Sequence, residues 1–136
     1  MGLYNFKARF VPMVESGEKT HTIREKRKYP SKAGETLHLY TGLRTKQARR
    51  IFSATCLKTE PIEIRRRVNM RADVEQVVLY DVIIGDQKLA GDEIEAFARR
   101  DGFTDFADMM AFWRKEKRRF PWRGDVIHWD FRRRIG

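Results

Sequence analysis

The sequence predicts a mainly β, α+β domain: a small closed β-barrel with helices packed over its open side. Three observations predict it. Short apolar–polar alternations recur from residue 3 to residue 84, punctuated by Gly and Pro. The apolar period turns helical between residues 92 and 113. Alternation then returns in one last stretch, residues 125–131. The chain has 136 residues, 41% of them hydrophobic, which fits a single domain over residues 1–136 around one core.

Taken in order, residues 3–10 alternate loosely, with Tyr4, Phe6, Ala8 and Phe10 on one side, and predict a first strand. Residues 10–16 allow one or two helical turns that stop at Gly17, where glycine permits a positive φ. The β-branched residues that follow predict a strand with Thr20, Thr22 and Arg24 on one face and His21 and Ile23 on the other. After a basic loop broken by Pro30, Leu37 and Leu39 alternate with Thr36, His38 and Tyr40 in a strand that ends at Gly42. Residues 51–58 are apolar at nearly every position, as in a strand covered on both faces. Pro61 is expected to interrupt it at a bend or bulge. Beyond it Ile62, Ile64 and Val68 alternate with Glu63, Arg65 and Arg67. Residues 77–84 make the clearest strand, and Gly85-Asp86 turns the chain toward residues 87–89.

Asp92 is expected to cap a helix that carries Ile94, Phe97 and Ala98 on one face and stops at Asp101-Gly102. Thr104 is expected to cap a second helix, with Phe106, Met109, Met110 and Trp113 at core spacing. Pro121 forbids its continuation. Gly124 opens the last strand, with Ile127, Trp129 and Phe131 inward, and Arg132, Arg133 and Arg134 are expected to fray as a basic tail.

Charge narrows the function. The 29 Lys and Arg against 19 Asp and Glu leave a formal charge of +10. So basic a balance points to a polyanion, of which nucleic acid is the commonest. Basic residues cluster in 24–28, 44–50, 65–67, 114–123 and 132–134, whereas 86–108 holds seven of the acids. That segregation suits one phosphate-binding face, on which affinity falls steeply with salt. Tyr29, Tyr40, Phe120 and Trp122 stand beside basic residues and offer stacking faces to unpaired bases. The nucleic-acid contacts expected are Lys19, Thr20, Thr22, Arg24, Lys26, Arg27, Tyr40, Arg44, Arg49 and Trp122. No apolar run approaches the ~20 residues of a spanning helix, so no membrane partner is expected. There is no signal-peptide pattern, and Cys56 is the sole cysteine, so a cytoplasmic protein without an internal disulfide is expected. His21, His38 and His128 are far apart, and no phosphate loop, dinucleotide fingerprint or serine elbow occurs. Neither a metal site nor a cofactor is therefore expected.

Chemistry concentrates in Gly17-Glu18-Lys19-Thr20-His21-Thr22-Ile23-Arg24. A threonine hydroxyl is a weak nucleophile until a base takes its proton, and an amine of lowered pKa can be that base. Arg24 and Lys26 would push Lys19 down by like charge. A carboxylate would have to orient the amine or relay the proton, and only the fold can bring one there. The same stretch also fits an exposed polar edge strand whose charges keep it soluble.

The chain resembles the ASCH family, small PUA-like β-barrels associated with RNA. The likeness rests on Gly17-x-Lys19-x-x-Thr22-x-Arg24 and on Gly34-Glu35-x-Leu37. It continues in Asp101-Gly102-Phe103-x-Asp105-x-x-x-Met109-x-x-x-Trp113 and Gly124-x-Val126-Ile127-x-Trp129. Residues 43–75 match less well. The resemblance implies a cleft between barrel and helices, lined by the first motif, that takes a nucleotide or base. Some similar proteins are amidohydrolases that deacetylate N4-acetylcytidine with a lysine, a threonine and a glutamate; others are ribonucleases. By motif position Lys19 and Thr22 match the first two, and Asp101 falls where the glutamate would, one methylene shorter.

Two functions follow as expectations. The first is a binding module that holds RNA or other nucleic acid, with one base or modified nucleoside near Lys19, Thr22, Arg24 and Asp101. The second is an enzyme of the same cleft, with Thr22 as nucleophile, Lys19 as general base and Asp101 positioning it. A basic face that docks an acidic protein partner is a third class.

Overall fold

A computed structural model describes residues 2–70 and 76–136. The elements run β1 (Gly2–Phe6), a 3-10 turn (Ala8–Phe10), α1 (Val11–Ser16), β2 (His21–Glu25), β3 (Thr36–Thr41), β4 (Arg49–Met70), β5 (Gln76–Ile84), β6 (Gln87–Lys88), α2 (Gly91–Arg100), α3 (Phe106–Lys115), β7 (Trp122–Trp129) and a 3-10 turn (Phe131–Arg133). The expected first strand is shorter than its alternation: after Phe6 the chain winds into the 3-10 turn that buries Phe10. The α1 helix starts with Pro12 in its first turn and stops at Gly17, whose φ of 85° caps it in the left-handed region.

The spine is β4, 22 residues long. Its first part pairs with β3, its middle with β7 and its end with β5. Pro61 does not interrupt it. The Pro61 carbonyl accepts from Gly85 N at 2.8 Å, so the imide nitrogen faces the end of the β4–β5 ladder, where an N–H is dispensable. The irregularity lies instead at Leu57, between Cys56 and Lys58, where the register with β7 shifts.

The expected closed barrel is overturned. Among the described residues the seven strands form one open sheet, in which β1 pairs only with β3, in parallel, and β2 only with β7. No backbone ladder joins β1 to β2. Two arginine side chains bridge that seam instead: Arg24 Nη2 donates to the Asn5 carbonyl at 2.7 Å and Arg27 Nη2 to the Leu3 carbonyl at 3.0 Å. Both guanidinium groups lie over the Tyr4 ring, Arg27 at 4.0 Å and Arg24 at 5.5 Å. Strand count and length do not reveal which edges meet, and here the two free edges meet through side chains.

Helices α2 and α3 pack over the sheet. Their caps differ from expectation. Glu93 accepts from Ala90 N at 2.8 Å at the start of α2, and Asp105, not Thr104, caps α3 by accepting from Asp108 N at 2.8 Å. Trp113 of α3 meets Trp122 of β7 edge-on at 4.6 Å, and Phe10 meets Phe103 and Phe112 at 5.3 and 5.4 Å. Burying each such side chain contributes about 1.5–3 kcal/mol. The tail expected to fray is tied back: Ile135 and Ser53 exchange two backbone hydrogen bonds of 2.7 and 2.8 Å. No helix among the described residues is long and apolar enough to cross a membrane.

Candidate functional site

The seam between β1 and β2 opens into a cleft of about 250 Å³. Its β1 side is Asn5, Phe6 and Lys7; its β2 side is Lys19, Thr22, Ile23 and Arg24. Asp101, Phe103, Phe112, Trp113, Glu116 and Arg118 close it from the helical side. Both faces of β2 reach the cleft because that strand has a free edge. Trp129 N bonds the Thr20 carbonyl, so Thr20, Thr22 and Arg24 turn their backbone groups to β7. By alternation the N–H and C=O of His21 and Ile23 point into the seam.

At the floor, Lys19 Nζ donates to Asp101 Oδ1 and to the Asp101 carbonyl, each at 2.6 Å. Local structure fixes both partners. The Lys19 N–H bonds the Met13 carbonyl at 3.0 Å, which folds the chain back against α1. Asp101 ends α2, and Gly102, at φ 99°, turns the chain away where a Cβ would strike the Phe10 ring at 2.9 Å. The Lys19 ammonium also lies over Phe10 at 5.3 Å. Burial pushes the Lys19 amine below its ordinary value, although Asp101 opposes the shift. Burial pushes the Asp101 carboxyl up, but Lys19 and His21 together outweigh it and hold it below the usual carboxylate range.

Thr22 is buried, and its hydroxyl accepts from Arg24 Nε at 2.9 Å. Among the described residues the hydroxyl makes no further side-chain hydrogen bond. Burial, then the neighbouring Arg27, lower Arg24 to about 10, so it is cationic at neutral pH. Arg118 makes the far wall. Lys117, in the left-handed region at φ 57°, folds it back so that its guanidinium lies 4.0 Å over Trp113 and 4.7 Å over Trp122. Among the described residues its Nη1 is buried with no partner, and burial lowers its pKa. At the mouth Lys7 pairs with Glu116 at 2.8 Å. Among the described residues the lining holds four cations against two carboxylates.

The structure thus brings together Lys19, Thr22, Arg24 and Asp101. The remaining expected contacts lie elsewhere. Trp122 is 6% exposed beneath Trp113, so its ring faces are spent in the core and cannot stack on a base. Thr20 lies outside the cleft lining, its carbonyl held by β7. Lys26 and Arg27 line an adjoining depression with Arg24 and Arg118. Tyr40 sits on β3 opposite Asn5, Arg44 on the exposed β3–β4 turn, and Arg49 pairs with Glu15 at 3.1 Å.

Two residues that sequence reasoning did not assign to the site belong to it. Arg118 is one; in a run of basic residues nothing marked it out. His21 is the other. Its Nε2 lies 3.2 Å from Asp101 Oδ1, off the hydrogen-bonding direction. It stacks on Phe97 at 5.1 Å and stands 5.5 Å from His128, whose Nε2 is 2.9 Å from Glu60 Oε2. Its alternation away from Thr22 and Arg24 hid it. No group of His, Cys, Asp and Glu suited to a metal ion occurs among the described residues. No family model, no curated protein and no solved structure matches this chain.

Proposed function

We propose that the protein binds single-stranded nucleic acid, RNA in the first instance, by taking one unpaired base into the seam cleft. The observation that carries this reading is the cleft itself: aromatic walls, a sealed Lys19–Asp101 floor and Arg118 with a buried, unpartnered nitrogen. At about 250 Å³ it is below the common range of ligand sites, about 300–1,000 Å³, which fits one base better than a base pair. Thr22 and the edge groups of Ile23 supply donors and acceptors to the base, while Arg118 takes a phosphate. The net charge of +10 supports the same assignment. Fluorescence anisotropy with labelled single-stranded and duplex RNA tests it. Single strands bind more tightly, affinity falls with salt, and Arg118→Gln weakens it. Equal affinity for duplex, or no salt dependence, overturns it.

One observation favours a second reading, an amidohydrolase. The carboxylate and the amine are 2.6 Å apart beside an open cleft, and burial favours the neutral, basic form of Lys19. In that reaction Thr22 Oγ1 attacks the acetyl carbon of an N4-acetylcytidine and its proton passes to the Lys19 amine. Asp101 holds the resulting ammonium. The proton then moves to the departing N4 amine as the C–N bond breaks, and water hydrolyses the acyl-threonine to acetate. Cytidine release measured with wild type and Thr22→Val decides it; no turnover, or equal turnover, discards this chemistry.

A further inference from the structure

Arg118 does more than close the cleft: it is shared by three depressions. Beyond it, on the side of α3, lies a groove of about 630 Å³ whose lining includes Arg66, Tyr80, Phe106, Arg114 and Phe120. Tyr80 stands at the centre of an edge-to-face cluster, 5.7 Å from Phe106 and 5.3 Å from Phe120. Arg66 and Arg114 are exposed on its rim and make no ion pair among the described residues. Among the described residues the one carboxylate of the lining, Glu95, accepts a hydrogen bond from Phe106 N at 3.1 Å. On the other side lies the depression of about 530 Å³ that carries Arg24, Lys26 and Arg27.

We propose that the α3 groove is a second nucleotide subsite, which takes the base next to the one in the seam cleft while Arg118 holds the phosphate between them. This rests on the binding function proposed above. An aromatic floor under a cationic rim matches the two parts of a nucleotide, a π-faced base and an anionic phosphodiester. Arg118 fits the linking position because its place over Trp113 and Trp122 fixes its plane and it lines the cleft, the groove and the depression alike. A guanidinium held this way presents phosphate with a preorganised fork. An acidic peptide would satisfy the rim but leave the Tyr80 cluster without a planar partner, so the observations favour nucleic acid.

Length-dependent binding tests the subsite. Affinities of a ribonucleoside, a dinucleotide and a hexanucleotide are measured calorimetrically for wild type and for the Arg66→Ala/Arg114→Ala double variant, whose exposed substitutions spare the core. Wild type gains about ten-fold or more from nucleoside to dinucleotide. The double variant loses about ten-fold on the hexanucleotide, its salt slope falls by about one to two, and its nucleoside affinity is unchanged. Tyr80→Leu loses dinucleotide affinity at an unchanged salt slope. If both variants bind the hexanucleotide as wild type does while wild type still takes the nucleoside, the groove proposal fails and the cleft stands. If wild type binds neither nucleoside nor hexanucleotide, both fail. If oligoglutamate displaces the hexanucleotide from wild type but not from the double variant, the groove is a peptide surface and the proposal is overturned.

Discussion

Lys19 Nζ and Asp101 Oδ1 are 2.6 Å apart, with only 4% and 7% of their side chains exposed. Two charges removed from water this completely are costly to bury, and their attraction offsets the loss only while both are present. Lys19→Met leaves a buried carboxylate that keeps only His21 beside it among the described residues and is expected to destabilise the fold by about 3–5 kcal/mol. Lys19→Met combined with Asp101→Leu is expected to cost less than the sum of the two single changes. Urea denaturation of the four proteins in a double-mutant cycle measures the coupling.

Acid sensitivity is expected in two stages. His128 is held below its ordinary value by burial, which outweighs the attraction of Glu60, while His21 lowers it further. A depressed folded pKa means that the unfolded chain binds the extra proton first. The contribution of His128 is therefore complete above pH ~6.5 and is lost as pH falls through its folded value. Asp101, depressed mainly because Lys19 and His21 outweigh its burial, acts lower. Its contribution is present above pH ~4 and vanishes as pH drops through its own folded value. Denaturation midpoints followed by tryptophan fluorescence from pH 8 to pH 3 are expected to fall in both windows. His128→Gln is expected to abolish the upper step and leave the lower.

The seam depends on a planar donor. Arg24 bonds the Thr22 hydroxyl through Nε and the Asn5 carbonyl through Nη2. Arg24→Met is expected to destabilise by about 2 kcal/mol, and Arg24→Lys to recover little, because a point charge cannot span both acceptors. Faster amide exchange along β1 in either variant locates the loss at this edge.

Gly124 has no room for a side chain. A methyl there would run into the Arg24 carbonyl oxygen, a backbone atom that cannot yield, and the Trp122 ring. Gly124→Ala is expected to cost about 3 kcal/mol, read as a lowered thermal midpoint with loss of near-ultraviolet signal from the tryptophans.

Much of the site was legible because Lys19, Thr22 and Arg24 lie within six residues, so a local turn and one strand deliver all three. Asp101 was not legible in the residue pattern itself, since 82 residues separate it from Lys19. Residues that depend on tertiary placement were not legible. Trp122 looks like a stacking platform beside Arg119 and Arg123, but β7 turns it under α3. Arg118 acquires its position from a left-handed residue, Lys117, of a type that does not announce such a turn. The helices and most strands followed their periodicity. The barrel did not, because alternation reports which face of a strand is buried and says nothing of how its two edges are satisfied.

β2 finds its ladder partner in β7, about a hundred positions further along the chain. Until β7 slots between β2 and β4, the strand that carries Thr22 has nothing to zip against, and closing so long a loop is entropically slow. Assembly of the candidate cleft therefore comes late. A nascent or half-folded copy displays its cationic exterior before the recess between β1 and β2 exists.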